Sequence, residues 1–401
     1  MLRPLCNLDM KIGYTGNNYP EKRNIIGRVS KAEYINISPY NFYAYLNKIN
    51  FWLMQRGRSP LFDSDYYQYQ SLLPAGVDGM HFFNSVSYSQ TPWITTFETV
   101  LPYFNKMKSG FKDPATLQLL TVNPSIHKAL DAMAKPSCKA LIALSQSTRD
   151  IQEQVLEYFP EYRRLIEGKI MVLHPPQAAK PYEPRDWSGK IQLLFVGRAF
   201  YRKGGQEMVH ALDNLRKKYP IHLTIVSSLD VESGWPGITD AQLSEDKRWL
   251  STQDWITWYP QLSNDQVLDL MQKSHLGLLP TWQDTYGYSV LEMQANGCPV
   301  LSTNIRSLPE INRADCGWRL NHETNEWGEW KEIPEERKSE VSAHLVAVME
   351  EELVKILDNP NEMEAKGRRA VKRILQFHHP EDHAARLTEI YQHCFIDSDR
   401  H

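Results

Sequence analysis

Two stretches of this chain join small, turn-forming residues to charged ones in a way that suits an anionic, hydroxyl-rich ligand. The first is Phe195-Val-Gly-Arg-Ala-Phe-Tyr-Arg-Lys-Gly-Gly205. Gly197 is expected to let the backbone turn sharply after a strand. Arg198 and Lys203 then put two cations beside the free N–H groups of a helix start near Gly204 and Gly205, a combination that fits a phosphate or diphosphate. The second stretch runs from Leu278 to Thr303. Here a strand leads into a loop with Asp284 and Gly287, then into a helix with Glu292. The amides of Gly287, Tyr288 and Ser289 fall where a helix start offers donors to a second side of a diphosphate. Glu292, one turn in, can accept from two vicinal hydroxyls, as a ribose presents. Asp284 is placed to hold a sugar hydroxyl. The plain alternatives are a solvated basic loop, a loop-capping Asp284 and a solvent-facing Glu292.

Both stretches need a scaffold of strands and helices. Apolar runs at Ile191–Val196, Ile221–Val226, Trp255–Trp258, Leu276–Leu279 and Pro299–Ser302 alternate with helical spacing at Gln206–Tyr219, Val267–Lys273 and Tyr288–Asn296. Strand-helix-strand repetition of this length predicts a parallel, doubly wound sheet. Ligands of such sheets bind at the carboxyl ends of the strands, where both stretches fall. The first half also suits an α/β domain, with strands at Met10–Tyr14, Gly79–Phe83, Trp93–Phe97 and Ala140–Leu144 and helices at Pro39–Arg56 and Arg149–Tyr158. The stretch Leu173–Arg185 holds four prolines, which neither a helix nor a central strand accommodates. A domain boundary is expected there, near residue 180.

Composition narrows the class. The 401 residues are enough for two or three domains, and 42% hydrophobic against 23% charged excludes a disordered chain. The net charge of −3 is far from that of a dedicated nucleic-acid binder. Residues 1–180 hold 20 Lys/Arg and 14 Asp/Glu, the remainder 25 and 34, so a basic half stands beside an acidic one. Five cysteines without a C-x-x-C pair argue against a disulfide framework or a zinc site. No apolar run approaches the roughly 18 residues of a membrane span, and Met1–Asn7 is too short on apolar residues for a signal peptide. A cytoplasmic location is expected, peripheral at the inner face of a membrane as a further option.

The second stretch resembles the signature of retaining family 4 glycosyltransferases with the GT-B fold. That signature is an acidic residue, seven residues, a Glu in a loop-helix, then Gly-x-Pro-Val; here Asp284, Glu292 and Gly297-Cys-Pro-Val300 stand in those places. Leu308-Pro-Glu310 resembles the Pro-Glu that follows it, and the Gly-Arg…Lys-Gly stretch is similar to the family's diphosphate-binding pair. Lys372–Tyr391 is similar to the family's closing helices. The resemblance implies an α/β, GT-B chain: two Rossmann-like doubly wound domains facing a cleft. The acceptor-binding domain would be 1–180, with 376–401 crossing back onto it, and the nucleotide-sugar domain 181–375. Arg198 and Lys203 would neutralise the leaving diphosphate, Gly287, Tyr288 and Ser289 would bind it through amides, Glu292 would hold the ribose and Asp284 the transferred sugar. Ser227 to Leu229 and Tyr259 to Leu262 would line the base. Transfer would keep the anomeric configuration and need no metal and no cofactor beyond the nucleoside-diphosphate sugar itself.

The chain also departs from the pattern. The first acidic position is Asp284 where Glu is usual. Val226-Ser-Ser-Leu-Asp230 replaces a usual Gly-x-Gly. Gly16 is the best candidate for the glycine loop after the first strand. A usual His after the strand at Trp93–Phe97 is absent, and Glu98 stands there, suited equally to work at the sugar and to a helix cap. A lone His81 one strand earlier reads as structural. The acceptor, a saccharide or a lipid-linked glycan, is expected on the first half. The helix at Pro39–Arg56 carries Tyr40, Phe42, Tyr43, Tyr45, Phe51 and Trp52; burial in the core is its favoured reading, with a membrane interface or sugar stacking as the others. A GT-B epimerase and a non-catalytic GT-B subunit are the alternative functions.

Overall fold

The computed structural model of the chain describes residues 10–73, 76–230, 238–331 and 335–396. The segment Met1–Asn7 lies outside them. The chain divides into two compact units, Met1–Pro176 with Pro380–His401, and Gln177–His379. Sequence had suggested a boundary near 180 and a return at 376.

In the first unit the strands are β1 (Met10–Tyr14), β2 (Ala32–Asn36), β3 (Gln68–Tyr69), β4 (Gly79–Phe83), β5 (Val86–Ser87), β6 (Trp93–Phe97), β7 (Cys138–Ala143) and β8 (Ile170–Val172). Six of them form one parallel sheet in the order β2-β1-β4-β6-β7-β8, and β3 pairs with β5. Every residue of β4 and β6 is buried, as both faces of a parallel sheet are covered by helices. The returning segment supplies part of that cover: Leu387, Ile390, Tyr391 and Phe395 pack with Met10, Ile12, Ile94 and Ile142. Gly79 is the place where Phe395 lies against the sheet backbone, in the space a side chain would fill.

His81 on β4 has no exposed surface. Its Nδ1 lies 2.8 Å from the Tyr391 hydroxyl and its Nε2 2.8 Å from the Thr96 hydroxyl, so it ties the returning helix to the sheet and has no nitrogen left for a ligand. Burial, with the nearby His383 adding to it, holds its pKa down at about 3. The ordinary value is 6.5, so between these limits the folded chain binds fewer protons here than the unfolded one. The stability gained by keeping His81 neutral is complete above about pH 6.5 and declines as pH falls toward 3. A His81→Gln variant should therefore lose stability less steeply than the wild type between pH 6.5 and 5, by about 1.4 kcal/mol per pH unit. Equal slopes in denaturant titrations would contradict this.

The second unit contains β9 (Ile191–Val196), β10 (Ile221–Val226), β11 (Ile256–Tyr259), β12 (Leu276–Leu279), β13 (Val300–Thr303) and β14 (Trp318–Leu320). They form a parallel sheet in the order β11-β10-β9-β12-β13-β14. Counted from β9 this is 3-2-1-4-5-6, the Rossmann order, whose direction reverses between β9 and β12. The proline-rich stretch is tied into this unit: the Arg185 guanidinium donates to the carbonyls of Ser274 (2.8 Å) and Asn296 (2.7 Å), and the Lys180 amide to Ala295 (2.9 Å).

One helix differs from its expected placement. Phe42–Met54 is a helix, but only Tyr43 and Asn50 on it are buried, and Phe42, Tyr45, Ile49, Phe51, Trp52 and Met54 are exposed. Burial in the core is thus the wrong reading. Beside the buried Tyr43, the inward side holds Asn50, with Asn41 at the N-cap, because the neighbouring 61–70 segment presents backbone groups that need partners: Asn50 accepts from the amides of Leu61 and Phe62, and Asn41 from that of Gln70. Among the described residues, no helix is long and apolar enough to cross a membrane.

Candidate functional site

The sheet of the second unit brings the two charged stretches together. One follows β9, the other β12, the neighbouring strands on either side of the reversal, and both lie at carboxyl ends. Hydrogen bonds stitch the loops: the Trp282 amide donates to the Arg202 carbonyl (2.9 Å) and the Arg202 guanidinium to the Gln283 carbonyl (3.1 Å).

The centre of the stitch is an ion pair. Lys203 Nζ lies 2.7 Å from Asp284 Oδ2, and the two side chains are only 16% and 12% exposed. The other carboxylate oxygen, Oδ1, accepts the Gly287 amide at 3.1 Å. Burial pushes the Asp284 carboxyl up, but the Lys203 ammonium, Arg202 and the Gly287 amide outweigh it and hold the group below the usual carboxylate range. Asp284 is therefore an anion that caps a helix and orients a lysine. Arg198 is exposed at the mouth of the β9 loop.

Glycines fit this arrangement for reasons other than those expected. Gly197 does not take a left-handed backbone. Its value is space, since a Cβ would meet Lys203 Cδ at 2.5 Å. The sharp turn is at Gly204, φ +73°, where a side chain would land on the Pro280 carbonyl oxygen. The amides of Gly204 and Gly205 are not free for a ligand; they donate to the carbonyls of Tyr201 (2.9 Å) and Phe200 (2.8 Å). Gly287, φ +88°, opens helix Tyr288–Ala295, and a Cβ there would meet Leu308 at 2.7 Å. Its amide, one of the three named from sequence, is held by Asp284. Ser289 adds something the sequence did not suggest: its hydroxyl is buried with no hydrogen-bond partner. Ser289, Tyr288 and Glu292 are half-buried while Val290, Leu291 and Met293 are buried, so the first three share the helix's outer side.

The residues expected at the base lie at the same edge. Ser227 follows β10, Tyr259 ends β11 and Leu262 lies three residues on. Ser227 is only 2% exposed, and its polar groups are engaged: the hydroxyl donates to the Arg198 carbonyl (3.3 Å), the amide to Tyr259 (3.0 Å), and its carbonyl accepts Trp258 Nε1 (2.8 Å). It holds the Arg198 loop in place. Tyr259 is exposed and Leu262 half-buried. Leu229, in the stretch that replaces Gly-x-Gly, is buried with φ +47°, a left-handed backbone taken here without a glycine.

In the first unit Gly16 follows β1 with φ +80°, and a Cβ there would collide with Glu21 Oε1. It lines a cavity of about 340 Å³ between the carboxyl ends of β1 and β4, with Glu21, Ser38, Lys48, Phe51, Tyr66 and Ser85. This too is a point where the strand order reverses. Glu98 follows β6; its Oε1 accepts from Asn84 Nδ2 and from the Tyr103 hydroxyl, both at 3.2 Å. Among the described residues, no group of three or more His, Cys, Asp or Glu could hold a metal ion.

Residues 183–324, which contain both charged stretches, match the family glycosyl transferases group 1. The fold is GT-B, as in sucrose-phosphate synthase from Thermosynechococcus elongatus (12% identity, 96% of this chain and 99% of that one, TM-score 0.57). Alr3699/HepE from Anabaena, solved in complex with UDP and glucose, shares it as well (11% identity, 95% and 98%, TM-score 0.54). By sequence the chain is similar to D-inositol 3-phosphate glycosyltransferase from Arthrobacter sp., 28% identical over 124 residues, 30% of this chain and 28% of the relative. The chain spans about a third of the length of the first curated relatives it matches.

Proposed function

We propose that this chain is a retaining glycosyltransferase of the family 4 type. It would move a sugar from a nucleoside-diphosphate donor to a hydroxyl of a saccharide or lipid-linked glycan. One observation carries the reading: the Lys203–Asp284 pair and the start of helix Tyr288–Ala295 come from neighbouring strands at the reversal of the Rossmann-ordered sheet. That is the edge at which such sheets hold nucleotides, and a lysine and a helix start there suit a diphosphate.

In this reading the diphosphate enters between Arg198, Lys203 and the amides of Tyr288 and Ser289, with the Ser289 hydroxyl as a further donor. Glu292 accepts from the ribose hydroxyls. Asp284 keeps Lys203 aimed and presents its carboxylate to the transferred sugar, one methylene further back than a Glu. Breaking the sugar–phosphate bond leaves negative charge on the diphosphate, and Arg198 and Lys203 stabilise it as it develops. The acceptor oxygen forms its bond to the anomeric carbon on the face the diphosphate leaves, and its proton passes to a leaving phosphate oxygen. Two side-chain cations, Lys203 held by Asp284 and the exposed Arg198, would supply the charge that a metal would otherwise bring, so the transfer is proposed to be metal-independent.

The test is turnover of a panel of UDP-, GDP- and ADP-sugars with chelator present. Expected is nucleoside-diphosphate release from one base family, with the released or transferred sugar first appearing in the donor's anomeric configuration. Inverted stereochemistry, or activity only on adding a divalent metal, would overturn the mechanism.

A further inference from the structure

Helix Phe42–Met54 turns a row of large apolar side chains outward and a polar Asn50 inward. Asn50, 7% exposed, faces inward, and its amide nitrogen donates to the Phe62 carbonyl (2.8 Å) and the Ser64 hydroxyl (3.0 Å). Phe42, Tyr45, Ile49 and Trp52, spaced three, four and three apart, form one stripe and are 40–49% exposed. That spacing normally marks a core-facing side. Cations lie on the stripe's own rings: the Arg56 guanidinium is 3.8 Å from the Trp52 ring centre and Lys48 Nζ 5.6 Å from that of Tyr45. Between Glu33 and Asp63 there is no acidic residue, and Lys48, Arg56 and Arg58 are the only charges.

We propose that this stripe docks on an anionic lipid bilayer. Aromatic and aliphatic side chains that face water beside long basic side chains are the chemistry of a helix lying in a membrane interface: the rings enter the headgroup boundary while Lys and Arg stay with the phosphates. A second copy of the chain fits less well, because a two-fold contact sets a patch against itself and would place these three cations against their own like charges. The helix's third side, with Ala44, Lys48 and Phe51, lines the 340 Å³ cavity at β1 and β4. Docking therefore brings that cavity beside the headgroups, where a lipid-linked molecule presents its polar end. This last step rests on the proposed sugar transfer; the docking itself does not, since vesicle binding needs no donor.

The experiment is sedimentation of the full chain with vesicles of phosphatidylcholine alone and with one third phosphatidylglycerol. The wild type should bind the anionic vesicles and not the neutral ones. Arg56→Ser/Arg58→Ser should lower the partition by roughly 25-fold, at about fivefold per cation, and Ile49→Ser/Trp52→Ser by more than about tenfold, with melting temperatures unchanged. Hydrogen exchange on the wild type, which needs no variant, should show protection over residues 42–58 when anionic vesicles are added. Absence of vesicle binding, binding that Ile49→Ser/Trp52→Ser leaves intact, or no change in exchange over 42–58 would overturn the proposal. So would a dimer in sedimentation velocity that the same double variant dissociates, which would assign the stripe to a second copy.

Discussion

Lys203→Met should reduce donor turnover by about a thousandfold while leaving the packing of the β9 loop in place. Methionine keeps the stem that lies against Gly197 and removes only the ammonium. In the proposed mechanism that ammonium meets the diphosphate as its charge develops, and removing one such stabilising group costs about 10²–10³ in rate. A second effect adds to it. Asp284 is left as a nearly buried carboxylate without its ion-pair partner, beside the place where phosphate must sit. Breaking one partner out of a buried pair costs on the order of 3 kcal/mol, discounted toward 2 because both side chains keep some contact with solvent. The variant Lys203→Met/Asp284→Asn separates the two effects. It should regain most of the stability, since no lone charge remains, and none of the turnover. A double variant that turns over donor at the wild-type rate would remove Lys203 from the chemistry.

Gly204→Ala should be the most disruptive single methyl in the second unit. The backbone there is left-handed, which costs an L-residue with a side chain about 1–2 kcal/mol, and the methyl lands on the Pro280 carbonyl at the end of β12. Relief requires the β9 and β12 loops to part, and with them Lys203 from Asp284. A loss of roughly 3 kcal/mol or more is expected, together with at least a tenfold loss of donor affinity. Gly189→Ala is the control: nothing lies within 4 Å of its added methyl, and it should change stability by less than about 0.5 kcal/mol. Melting curves and donor titrations of the two variants measure this, and a Gly204→Ala protein as stable as the control would mean the loops do not depend on that close approach.

The sheet of the second unit was legible because its strands are buried on both faces and read as continuous apolar runs: Ile191–Val196, Ile221–Val226 and Leu276–Leu279 stand where their composition suggested. Elements with weaker signals escaped notice. β2 is an edge strand with a charged Glu33 in it, and none of its residues is buried. Helix Asp240–Thr252 buries only Leu250, so it has little apolar periodicity to read. At the candidate site, residue types pointed to the strand ends where the structure puts the two stretches, after β9 and β12, but the division of labour among backbone groups was invisible. That the Gly204 and Gly205 amides close turns on Tyr201 and Phe200, that Asp284 takes the Gly287 amide, and that the Ser227 hydroxyl holds Arg198 all follow from hydrogen bonds between segments distant in sequence or from the exact turn geometry. The helix Phe42–Met54 misled for a specific reason. Apolar residues at helical spacing report a face that avoids water in some state of the protein, not necessarily in the isolated chain.

The most direct test of the central claim, that the β9 and β12 loops form a nucleoside-diphosphate site, is calorimetric titration of UDP, GDP and ADP into the wild type and Arg198→Ala without metal. Arg198 is exposed, so its loss should leave the fold intact. The account predicts that one base family binds the wild type, and that the variant binds the same diphosphate at least about tenfold more weakly, as loss of a charge-assisted contact worth 1.5–3 kcal/mol requires. Equal affinity of the two proteins, or no binding of any diphosphate to the wild type, would contradict it.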